Sequence, residues 1–139
     1  MLTRLLAALC IILGLALPAV ADEAETAEFQ RIIASQIAAF NADDGAAAFT
    51  HAAPLIQNMF GNPDAFMAMV KKGYQPVYRQ QSYSFEAATG EMAGRPAQRV
   101  RILDARGKSW IALYAFEKQP DGTWKIAGCT LLEVPGADV

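Results

Sequence analysis

Three features of the sequence carry side chains able to do chemistry. His51 is the only histidine, and an imidazole is the commonest carrier of a proton near neutral pH. It stands at the end of a short helical pattern, just before Ala52-Ala53-Pro54. It reads either as a general acid or base, or as a side chain meeting the last carbonyls of that helix. Asp43-Asp44-Gly45 is the second feature. A carboxylate there would be a general base if it faced a cavity. The same residues also punctuate helices, an end followed by an N-cap. Cys129 is the third. It lies in a strand pattern without a cationic neighbour to lower its pKa, so it reads as a small apolar residue. No G-x-S-x-G elbow, H-x-x-x-H or C-x-x-C spacing, or calcium-loop pattern occurs, so no metal and no cofactor is expected.

A fourth set is suited to binding. Arg99 and Arg101 alternate on one face of a strand pattern, and Tyr74, Tyr78, Arg79 and Tyr83 lie close to the preceding one. Lining a cavity, with Tyr114 of a later strand, they would hold an anionic or amphiphilic ligand. On a solvated face, Arg99 and Arg101 would instead pair with Glu86 or Glu117 at little net gain.

The elements that must position these residues are helical first and extended later. Phe29, Ile33, Ile37 and Phe40 recur at helical spacing, so a helix is expected over about 24–43. Asp44 caps a short helix over 45–52, Pro54 opens another over 54–60, and Asn62-Pro63-Asp64 starts a third over 63–72. Tyr74-Gln75-Pro76-Val77-Tyr78 reads as an extended connector, because the residue before proline avoids helix. Four antiparallel strands are expected over 77–88, 96–104, 109–118 and 123–133, with residues 89–94 a loop. Pro120-Asp121-Gly122 is the turn of the last hairpin. The third strand carries Ile111, Leu113 and Ala115 on one face and Trp110, Tyr114 and Phe116 on the other. It should be central, with helices covering one face. A partner subunit or the curl of the sheet itself would cover the other. The fold class is α+β, and residues 22–139 are read as one domain.

Residues 1–21 read as a leader rather than as fold. Arg4 precedes an uncharged apolar run over 5–17, Pro18 breaks it, and Ala19-Val20-Ala21 presents small residues to a signal peptidase. The run is shorter than the ~20 residues of a spanning helix, so no membrane span is expected after cleavage. Cys10 follows Leu9 inside the run, which does not suit lipidation. The formal charge is −2 and becomes more acidic by one when Arg4 leaves. No basic patch exists to follow nucleic acid.

Several segments carry a family resemblance. They are Ala39-Phe40-Asn41-Ala42-Asp43-Asp44-Gly45-Ala46-Ala47-Ala48-Phe49, Phe60-Gly61-Asn62-Pro63-Asp64, Gly73-Tyr74-Gln75-Pro76-Val77-Tyr78-Arg79 and the final hairpin. In this order they resemble a secreted bacterial family filed as a domain of unknown function, numbered 4864. The arrangement also looks like the nuclear-transport-factor-2-like fold, a cone-shaped α+β half-barrel. The resemblance implies a periplasmic location and no particular activity. The expected function is an exported small-ligand-binding or protein-interaction module, a homodimer through its sheet face. The alternative is an acid/base enzyme of isomerase or dehydratase type, using Asp43 or His51 with tyrosines and arginines of a pocket.

Overall fold

The structure, a computed structural model, describes Gly14 and residues 22–87 and 89–136. The expected leader lies outside the described residues, Gly14 excepted. Helix α1 spans Glu23–Asn41 and is started by Asp22, whose carboxylate accepts from Glu25 N at 2.8 Å. Glu23 and Glu25 sit in its first turn, where the helix dipole favours acids. Its inward stripe carries Phe29, Ile33, Gln36, Ile37 and Phe40. Asp44 caps α2, Gly45–Thr50, and Asn62 caps α4, Pro63–Gly73, each accepting an amide three residues on. Between them α3, Pro54–Phe60, begins at a proline and buries none of its residues fully.

The connector differs from its expected form. Gln75–Tyr78 is a helical turn, α5, with Pro76 near its N-terminus and Tyr74 as the N-cap. Proline is well placed at that end because the missing N–H has no helical partner there. Strand β1 therefore starts at Gln80 and runs Gln80–Phe85, shorter at both ends than 77–88. The expected loop over 89–94 is also corrected. It contains β2, Thr89–Met92, joined to β3, Arg95–Asp104, through Ala93-Gly94. Both turn residues have positive φ, 54° and 76°, the two-residue hairpin geometry that matches strand twist. An alanine in the left-handed region gives no turn signal in sequence, which is why the hairpin was not legible.

Strands β4, Ser109–Lys118, and β5, Trp124–Glu133, form the long final hairpin. Its turn is closed by Gln119 N to Thr123 O at 2.7 Å and by Asp121, which accepts from Thr123 N at 3.0 Å. The antiparallel sheet runs β1-β3-β4-β5, with β2 paired to β3, so among the described residues it has five strands rather than four, and β4 lies inside. Val100, Ile102, Ala112, Tyr114 and Phe116 face the helices and join Phe29, Ile33, Ile37 and Phe40 in the core. The opposite face carries Arg99, Arg101, Ile111, Leu113, Ala115 and Leu132. Ile111 and Ala115 are nevertheless buried. The β2 hairpin curls over that side, bringing Met92 Sδ to 3.6 Å from Thr130 Oγ1 and its methyl beside Gly128. The free edge of β5 is partly closed as well. Ile126 donates to His51 O and accepts from Ala53 N, both at 2.8 Å, so the link between α2 and α3 docks there as one more bridge.

Candidate functional site

The helices and the last hairpin leave a cleft of about 280 Å³ between them. Gln36 and Phe40 of α1 form one wall. Ile56, Met59 and Phe60 of α3 and Phe66, Met69 and Val70 of α4 form the mouth and roof. Tyr74, Val77, Tyr114 and the Ile126–Cys129 segment of β5 close the floor. Amphipathic spacing explains the roof: α4 turns Phe66 and Val70, four apart, to the same side, and Met69 to their flank. The mouth is apolar too, since Met59 of α3 lines the cleft and stands 67% exposed.

Among the described residues no Lys, Arg, His, Asp or Glu lines this cleft. Its titratable groups are weak acids held neutral. Tyr74 donates its hydroxyl to Cys129 O at 2.9 Å, and burial raises its pKa. Burial, with the neighbouring Cys129 adding to it, raises the Tyr114 hydroxyl well above its usual range. Burial pushes the Cys129 thiol up to about 12, against a smaller opposing effect of Tyr114. A thiol so placed is neither a nucleophile nor a metal ligand at neutral pH.

The residues singled out from sequence fall into four places. Tyr74 and Tyr114 line the cleft. Asp43, Tyr78 and Arg79 form a separate cluster where α1 ends. Asp43 has φ 52° and accepts the Tyr78 hydroxyl on one oxygen and Arg79 Nη2, at 2.7 Å, on the other. Arg79 also donates to Phe40 O at 2.8 Å, and its guanidinium lies 3.9 Å from the Tyr78 ring centre. The Tyr78 hydrogen bond, then the Arg79 charge, holds the Asp43 carboxyl below its ordinary value, and the same bond raises Tyr78. These groups satisfy one another and do not reach the cleft.

His51 forms the third place. Its Nε2 lies 3.0 Å from Ser35 Oγ of α1. Burial, with Lys125 and Arg31 adding to it, lowers its pKa. His51 is outside the cleft lining and apart from Asp43. Arg99 and Arg101 form the fourth, on the outer sheet face, where both pair with Glu86 at 3.2 and 3.0 Å. Burial works against the Glu86 charge, but the two arginines hold its pKa below the usual value. The cationic wall that the sequence allowed for a pocket is therefore a cross-strand ion-pair ladder. A second hollow of about 340 Å³ beside Arg79, Arg106 and Trp110 contains Asp104, whose carboxylate would repel an anion. Among the described residues no group of three or more His, Cys, Asp or Glu could hold a metal ion. No helix there is long and apolar enough to cross a membrane.

Gln36 is the cleft residue that sequence reasoning missed. It is 4% exposed, and the signal for it was present. Phe29, Ile33, Gln36 and Phe40 share one helical stripe, so an amide interrupts an otherwise apolar face.

Helices on one side of a curled antiparallel sheet, with an uncharged cleft between the two layers, define a small α+β protein with a single-sided apolar site. The chain belongs to the family described as Domain of unknown function (DUF4864), whose model matches residues 22–139. No curated protein and no solved structure matches the chain.

Proposed function

We propose that the protein is an exported, non-catalytic module that binds a small, largely apolar ligand in the cleft between α3, α4 and β5. The observation that carries this reading is the cleft itself: about 280 Å³, apolar on nearly every side, with the exposed Met59 of α3 in its lining. Ligand pockets have this composition. An apolar cavity of about 150 Å³ accommodates benzene, so this one suits a ligand roughly twice that size. Export rests on the sequence of residues 1–21, and the cone-shaped nuclear-transport-factor-2-like fold rests on the family resemblance and the order of helices before a curled sheet. Self-association through the outer sheet face belongs to the same reading, supported by Leu132, 46% exposed there. The acid/base alternative draws no support from Asp43 and His51, whose partners lie outside the cleft.

The test is to purify the protein from its own cell envelope, extract it with organic solvent and search the extract by mass spectrometry. A stoichiometric small molecule, absent when Met69→Trp fills the cleft, supports binding. An extract that is the same for both proteins contradicts it.

A further inference from the structure

The cleft holds an amide oxygen that no protein group answers. Gln36 Nε2 donates to Ala48 O at 3.3 Å. A carbonyl only accepts, so this bond fixes which end of the amide faces it. Gln36 Oε1 then has no hydrogen bond from the protein. Nor is it sealed: among the described residues the only fully enclosed side-chain oxygen or nitrogen without a partner is Gln80 Oε1. Gln36 is 4% exposed and lines the cleft, so its oxygen is reached through the cleft. A purely hydrocarbon occupant would strip water from this acceptor and give nothing back. A carboxylate or ammonium would lose its hydration against walls that carry no countercharge.

Resting on the cleft being the binding site, we infer that it selects an uncharged apolar molecule bearing one O–H or N–H donor, which Gln36 Oε1 accepts. Aromatic or fatty alcohols and amides fit this description. Hydrocarbons of the same size and fatty or aromatic carboxylates do not. This narrows the amphiphilic or anionic ligand allowed by the sequence to a neutral one.

The test is displacement of the neutral fluorophore N-phenyl-1-naphthylamine from the full chain by naphthalene, 2-naphthol and 2-naphthoate, matched in size. The expected ranking puts 2-naphthol about tenfold or more ahead of both others. In Gln36→Met, which keeps the length and loses the acceptor, the advantage of 2-naphthol over naphthalene should disappear. Equal competition by all three on the wild type overturns the assignment to Gln36 while leaving the cleft as a binding site. So does 2-naphthoate in the lead. Failure of the fluorophore to bind the wild type removes the cleft reading itself. If Gln36→Met does not fold, the wild-type ranking alone decides.

Discussion

Arg79 reaches Asp43 at 2.7 Å and ties the C-terminal end of α1 to the residue that follows α5. The pair does its work at the backbone. Asp43 holds a left-handed conformation, φ 52°, that aspartate and asparagine adopt at less cost than alanine. Asp43→Ala should therefore lower the thermal midpoint more than Asp43→Asn, and Tyr78→Phe should fall nearer to Asn. Asp43 has a folded pKa below its ordinary 3.8. Its stabilisation is complete above that value and is lost as pH falls through the folded one. Asp43→Asn should accordingly flatten part of the acid limb of stability. Identical melting curves for wild type and Asp43→Asn down to low pH would show that the cluster holds nothing.

A second pH dependence belongs to His51. Its folded pKa lies below the ordinary 6.5 because of burial, aided by Lys125 and Arg31. The unfolded chain takes up the proton first, so stability is full above 6.5 and declines as pH falls below it. No other imidazole exists to titrate there. Melting temperatures between about pH 7.5 and about pH 5 should fall for the wild type and stay nearly level for His51→Gln. A wild-type midpoint that rises on acidification would mean the sign is wrong.

The contact between layers centres on Phe29. Its ring stacks on Phe116 at 4.2 Å, and Trp124 meets it edge-on at 5.0 Å. Phe29 is 1% exposed, so Phe29→Ala leaves a cavity between α1 and the sheet and should cost about 3–5 kcal/mol. Chemical denaturation measures it, and the near-ultraviolet dichroism of Trp124 should change with it. A loss under about 1 kcal/mol would place the helix–sheet contact elsewhere.

Much of this frame was legible because local signals agreed with one another. Asp44 and Asn62 cap where their types suggested, and the Pro120-Asp121-Gly122 turn sets the last hairpin. What was illegible depended on distance or on rare backbone states. Ala93 at positive φ hid β2. Arg99 and Arg101 could face either layer until the sheet's pairing fixed Val100 and Ile102 inward. Tyr78 and Arg79 were grouped with Tyr74 by sequence, but the α5 turn sends them to Asp43. The cleft joins residues from α1, α3, α4 and β5, and no periodicity within one element shows such a meeting. Tyr74 and Tyr114 were legible as candidates, and Gln36 left a trace as a polar member of an apolar stripe.

Cys129 should be unreactive in the folded protein. Burial lifts its thiol to about 12, which leaves almost no thiolate at mildly alkaline pH. In the full chain carrying Cys10→Ser, a disulfide reagent should label Cys129 on the order of a hundredfold more slowly than after unfolding in guanidinium. Equal rates before and after unfolding would show the β5 segment open to solvent, and the floor of the cleft with it.

The most direct measurement on the cleft is a fluorescence titration with N-phenyl-1-naphthylamine, a neutral probe that brightens in apolar surroundings. Saturable binding of one probe per chain is expected for the wild type. It should be abolished by Met69→Trp, which fills the cleft from α4, and unchanged by Arg101→Ala on the outer sheet face. Binding that survives Met69→Trp in a protein of unchanged melting temperature, or no saturable binding to the wild type, would contradict the assignment of the cleft as the ligand site.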